Sequence, residues 1–238
     1  MESVVLYATP IWDRALTYRL NVYIIRSTQR IALCRLARAY HTVSADAVRV
    51  ITGNPPMAMV ALERGGLFRT IESCSSATDG EGQNSAREKT KIRNEEREVT
   101  MRKWQEEWVI STKGRWTYRL IPKIDEWQEW GPKILNYHLT QVLTGHGCFG
   151  TYLKEIGKAD TDVCWFCQDA TDDPEHFLLN CTRWERQRKK MTDVVGTFVM
   201  EDLVKILKEP EKRPHVMEFL VAALLDKEKW EREKIKNK

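Results

Sequence analysis

CWFCQDATDDPEHFLLNC, residues 164–181, places four metal-type ligands inside one short run: Cys164, Cys167, His176 and Cys181. A Cys-x-x-Cys pair on a tight turn supplies two ligands from one side, and a second pair on a helix completes a tetrahedron. Thiolate and imidazole are the donors zinc prefers. Asp173 is placed to cap a helix and Pro174 to open its first turn, so His176 and Cys181 would project from the helix that begins there. Buried thiols and a core histidine lying close by chance are the plainer alternative. Two pairs of ligand spacing only eight residues apart argue against it. With all four positions filled by protein, the expected ion is one structural Zn2+ per chain rather than a catalytic one.

The rest of the chain reads as mainly α. Its 238 residues are enough to bury a core, and 42% hydrophobic with 30% charged residues is globular composition. VVLYATPIW is too short to span a bilayer, and no secretory leader precedes it. The expected location is nuclear or cytoplasmic, not secreted and not membrane-bound. In such a reducing compartment, three clustered cysteines out of six point to metal rather than to disulfides.

Residues 14–40 read as one long helix in which Leu16, Leu20, Tyr23, Ile24, Ile31 and Cys34 share a broad apolar face. Arg19, Arg26 and Arg30 fall within about 40° of one another on a neighbouring stripe. Ser44 or Asp46 caps a short helix that stops at Gly53-Asn54-Pro55-Pro56, and another short helix runs through MAMVALERGG. SCSSATDGEGQNSA reads as an exposed linker and a domain boundary. The segment that follows is helical with a thin stripe of Ile92, Val99, Trp104 and Trp108, an arm packed on something else. A helix is expected from about Lys133 to Leu143, then a Gly-His-Gly break and another short helix. Beyond the cysteines come two helices and a charged tail, DKEKWEREKIKNK. These readings divide the chain into a helical region (1–72), a flexible linker (73–86), a helical connector (87–160), a metal module (161–190) and C-terminal helices with the tail (191–238).

Trp165 and Phe166 lie between the first two cysteines, and RWERQRKK follows the last. Aromatics for stacking on unpaired bases beside cations for phosphates suit a nucleic-acid binder. The same aromatics also suit the small core a zinc module needs, and a charge run is commonly a solvated helix face. Both readings stay open on these residues alone. Phosphate-cradling glycine loops, Ser/His/Asp patterns, His-Glu-x-x-His and carboxylate clusters for magnesium are absent from the sequence.

LTGHGCFGTYL, CWFC and DDPEHFLLNCTRW together resemble the region after the polymerase domain in LINE-type (non-LTR) retrotransposon polyproteins, especially the arthropod ribosomal-DNA-inserting group. SVVLYATPIW and QRIALCRLARAYHTVSADAVRVITGNPPM resemble the passage from the reverse transcriptase palm to its helical thumb. STKGRWTYRLIP is similar to the stretch between. The resemblance weakens in the linker and after about residue 191; Ala8 stands where the pattern has Gly, and Thr182 where Pro is common. It implies a part of an RNA-directed DNA polymerase used in target-primed reverse transcription, without the catalytic aspartates and without either nuclease. It makes residues 1–72 thumb-like and Cys164, Cys167, His176 and Cys181 zinc ligands. It gives Arg19, Arg26 and Arg30 a primer–template duplex to face, and Trp165, Arg183, Arg186, Arg188 and Lys189 element RNA or target DNA to hold. The implied partners are nucleic acid and the upstream polymerase region. A stand-alone zinc-binding nucleic-acid module, or a zinc-stabilised scaffold for protein partners, is the alternative.

Overall fold

Helix-stopping residues cut the chain into a series of helices in the computed structural model, which describes residues 2–75 and 82–236. In chain order these are α1 (Glu2–Val5), α2 (Thr9–Trp12), α3 (Arg19–Leu36), α4 (Ala45–Thr52), α5 (Met57–Ser75), α6 (Gly82–Ile110) and α7 (Arg115–Leu120). There follow α8 (Ile124–Gln128), α9 (Tyr137–Thr144), α10 (Gly150–Glu155), α11 (Glu185–Val195), α12 (Leu203–Lys208) and α13 (Arg213–Lys236). Short 3-10 turns join several of them. Among the described residues there is no strand beyond an isolated antiparallel bridge, Val163 to Thr171, so the fold is mainly α as expected. No helix there is long and apolar enough to cross a membrane.

Two compact units emerge: residues 1–33 with 54–111, and residues 34–53 with 112–238. The segment 73–86, read from sequence as a linker, lies between α5 and α6 of the first unit. Its described ends, 73–75 and 82–86, are helical, and residues 76–81 lie outside the described residues.

The first unit is built around Leu6, Leu16, Met57 and Ala61, with Trp12, Val22 and Ile25 packed against them. Gly65 lets α5 approach the turn before α3: a Cβ there would lie 1.8 Å from Asp13 Oδ2, which Arg69 engages at 2.8 Å. Ala8 adopts φ 52°, a left-handed conformation that favours glycine, the residue the resemblance leads one to expect there.

The long helix expected over 14–40 is shorter. A 3-10 turn occupies Asp13–Thr17, extended Tyr18 separates it from α3, and α3 ends at Leu36. Its broad apolar face is buried only in part, at Leu16 and Cys34. Leu20, Tyr23, Ile24 and Ile31 are each more than half exposed, while Gln29 and Leu33 are buried. Gln29 decides the phase, because its amide donates to Pro55 O (2.8 Å) and its Oε1 accepts from Met57 N–H (3.1 Å), capping α5. In α6, Trp104 and Trp108 of the thin stripe are buried, and the helix packs along α5 with Arg97 on Glu63 at 3.5 Å.

The second unit uses side chains to satisfy helix ends. Ser44 caps α4 and Gly53, at φ 66°, ends it. Trp127 Nε1 then donates to Ile51 O (3.0 Å), and Gln128 donates to Gly53 O (3.1 Å). Asn136 caps α9, so this helix starts later than Lys133. Its last carbonyls are met from α7, by Trp116 Nε1 on Val142 O (2.7 Å) and Thr117 Oγ1 on Leu143 O (2.9 Å). His146 of the expected break stacks on Tyr152, and its Nδ1 lies 2.9 Å from Thr42 Oγ1. An aromatic chain runs through the core, with Phe177 touching Phe149, Trp184 and Phe219 at centroid distances of 5.7–6.0 Å. The run DKEKWEREKIKNK is no separate tail: its described residues continue α13, with Lys227 fully buried.

Candidate metal centre

A tight knuckle carries the first two candidate ligands. Cys164 N–H donates to Ala170 O (2.7 Å), Gln168 N–H donates back to Cys164 O (2.9 Å), and Gln168 takes φ 60° to turn the chain. Asp172 N–H on Asp162 O (2.7 Å) and the Val163–Thr171 bridge close its base. The next turn begins as the sequence predicts, with Asp173 Oδ1 accepting the His176 N–H at 2.7 Å. From His176 to Asn180 the turn then widens to a π-helix, and Cys181 N–H donates to His176 O at 2.7 Å. Residues five apart stand about 140° apart on an α-helix. The wider turn brings His176 and Cys181 to one side.

The four ligand atoms lie within 4.8 Å of one another. Cys164 Sγ is 3.7 Å from Cys181 Sγ, and Cys167 Sγ is 3.3 Å from His176 Nε2. A tetrahedron with the usual zinc–sulfur and zinc–nitrogen bonds has edges of about 3.8 and 3.6 Å, so the cluster fits one small divalent ion. Cys164, Cys181 and His176 are buried and Cys167 is half-buried. Burial holds the His176 imidazole below its usual pKa, which favours the neutral ring that ligates metal. Burial, reinforced by the neighbouring thiols, pushes the Cys181 thiol up to about 12. A bound cation offsets that penalty by stabilising thiolate.

The other expected site residues fall into four groups. Arg188 is turned inward: its guanidinium donates to Leu178 O (2.8 Å), Cys181 O (2.7 Å) and Phe177 O (3.3 Å), tying down the end of the ligand helix. Trp165 packs on Trp230 of α13 at 5.0 Å, and Phe166 packs on Trp230 and Trp184. Arg183, Arg186 and Lys189 remain on the surface, with Arg183 on Asp226 (3.1 Å) and Lys189 on Asp193 (3.3 Å). In the first unit, Arg19 and Arg26 are exposed and Arg30 is half-buried.

Three residues around the ligands escaped the sequence reading. Asp172 is buried with both carboxylate oxygens 2.6 Å from Lys227 Nζ, and its Oδ2 also accepts the Gly150 N–H at 2.8 Å. Arg119, in α7, grips Glu175 of the ligand helix in a fork and Glu201 at 2.6 Å. Trp230 covers the knuckle. Arg119 and Asp172 had a signal, through their places in STKGRWTYRLIP and DDPEHFLLNCTRW, but neither stretch announces the partner across the fold.

Comparison with known proteins bears out the resemblance. The chain is 28% identical over 200 residues to the Pol polyprotein of retrotransposable element R1 2 of Nasonia vitripennis, covering 81% of this chain and 47% of that one. It is 28% identical over 191 residues to the R1 Pol polyprotein of Bradysia coprophila, covering 76% and 18%. A similar match, 27% over 197 residues, is to a putative 115 kDa protein of element R1DM of Drosophila melanogaster. The chain therefore spans less than half the length of these relatives, a similarity consistent with a C-terminal region of such a polyprotein. No protein-family model and no solved structure matches it.

Proposed function

We propose that this chain is the C-terminal nucleic-acid-binding part of an R1-type retrotransposon Pol polyprotein, stapled by one structural zinc ion. Cys164, Cys167, His176 and Cys181 would hold that ion, which supplies rigidity and no reaction step. The observation that carries the reading is the convergence of three sulfurs and one imidazole nitrogen within 4.8 Å, in a chain similar to Pol polyproteins over four-fifths of its length.

Contact with element RNA or target DNA would run through phosphates. Arg183, Arg186 and Lys189, with Lys190 beside them, are exposed around the start of α11, and Arg19, Arg26 and Arg30 lie along α3. Trp165 and Phe166 contribute packing rather than base stacking, because Trp230 and Trp184 already engage them. Those aromatic contacts are also the observation that favours the second reading, a zinc-stabilised scaffold for a protein partner.

Zinc analysis and binding at several salt concentrations test the reading together. The expected results are one zinc per chain and an affinity for RNA or DNA that falls steeply with salt, by about 0.7–0.9 log units per phosphate contact for each tenfold rise in salt. Arg186→Glu with Lys189→Glu should flatten that slope. Zinc without binding at low salt selects the scaffold; absence of zinc removes the cage.

A further inference from the structure

We infer that the C-terminal half of α13 is the outer wall of the metal centre. On this account Lys227 and Trp230 are positioning residues that set how tightly the cage holds its ion, and metal binding in turn docks this part of the helix. The inference rests on the metal reading proposed above.

Every ligand has a neighbour in sequence that α13 touches. Between Cys164 and Cys167 stand Trp165 and Phe166, both 5.0 Å from the Trp230 ring by centroid. Four residues before His176 stands Asp172, whose two oxygens both lie 2.6 Å from Lys227 Nζ. Two residues after Cys181 stands Arg183, which meets Asp226 at 3.1 Å. Residues 226, 227 and 230 form one stripe along a single turn of α13, and that stripe closes on all three ligand-bearing pieces.

Asp172 is the stiffest joint. Besides Lys227 it accepts the Gly150 N–H, its own N–H reaches Asp162 O, and its carbonyl accepts the Thr151 N–H at 3.1 Å. A Cβ at Gly150 would lie 3.0 Å from the Asp172 Cβ, so the loop sits directly against α10. The Lys227 side chain is 1% exposed, and its ammonium faces the Phe149 and Phe166 rings at 5.9 and 5.6 Å. A buried ammonium is tolerable only while its counter-charge is held in place. The knuckle that carries Asp172 is too small to hold its own core, so the ion grips it from one side and α13 from the other. Two restraints on one small element are coupled, and the coupling acts in both directions.

The test uses the full zinc-loaded chain. Zinc content of the wild type comes first; a metal-free protein fails the cage reading before α13 is in question. Zinc loss to excess chelator is then timed in Lys227→Met, Trp230→Ala and the exposed control Lys229→Ala. The expected result is at least tenfold faster loss in the first two, control unchanged, and substantial recovery in Trp230→Phe. In the wild type, stripping zinc should raise amide exchange over residues 226–233 while residues 216–224 stay protected. Wild-type release rates in both variants, or exchange over 226–233 that ignores zinc, overturn the inference. If Lys227→Met does not fold, the Trp230 pair decides alone.

Discussion

Arg188 shows how one side chain changes role once its phase is known. In RWERQRKK it looks like any other cation, yet Trp184, Arg188, Met191 and Val195 follow helical spacing and all point inward. Its guanidinium serves three carbonyls that the ligand helix leaves open, and burial lowers its pKa from the usual arginine value. Hydrogen bonds from a charged donor contribute about 1.5–3 kcal/mol. Arg188→Ala should therefore lower stability by about that much in chemical denaturation and should hasten zinc loss. Arg186→Ala, exposed two residues earlier, should stay within about 0.5 kcal/mol. Nucleic-acid affinity should rank the pair the other way, with Arg186→Ala reducing the salt slope. The four candidate ligands were legible because metal coordination asks for residue type and spacing together, and the structure brings their side chains within 4.8 Å of one another. The wide π turn that lets His176 and Cys181 converge leaves no such mark in the residues.

At the level of elements, stops were easier to read than faces. Ser44 with Gly53 and Asp173 with Pro174 announce helix boundaries through local chemistry, and the structure places caps at both. Which side of α3 is buried depends on what lies opposite it, and no local pattern carries that. An apolar row of Leu20, Tyr23, Ile24 and Ile31 faces outward, while the polar Gln29 is 1% exposed because it caps α5. Two positions two residues apart test this phase. Leu33 is 7% exposed and Ile31 55%. Leu33→Ala should cost about 2–4 kcal/mol through lost burial and a cavity. Ile31→Ala should change stability by about 0.5 kcal/mol or less. Equal losses would mean that α3 is rotated from the position described. The outward row also makes the first unit's surface more apolar than the arginines on the same helix suggest.

On the scale of the whole molecule, a buried charge pair joins parts of the chain that composition alone would separate. DKEKWEREKIKNK reads as a solvated tail because lysine and glutamate dominate it, and charged residues are rarely buried unless paired. The partner of Lys227 lies 55 residues away in the loop of the candidate metal centre, a distance at which no periodicity or motif can connect them. Burial of an ion pair is weak evidence for net stability, since desolvation opposes the attraction. Breaking one half is a different matter. Asp172→Asn keeps an acceptor for the Gly150 N–H but leaves the Lys227 ammonium without a counter-charge among aromatic rings. That substitution should cost about 3–5 kcal/mol. Adding Lys227→Met removes the stranded charge and places an apolar chain against Phe149 and Phe166, so the double variant should be more stable than Asp172→Asn alone. A double-mutant cycle read by urea unfolding measures the coupling. Additive losses would mean that the two groups do not depend on each other, and the second unit would then be held by its apolar core with the pair as a bystander.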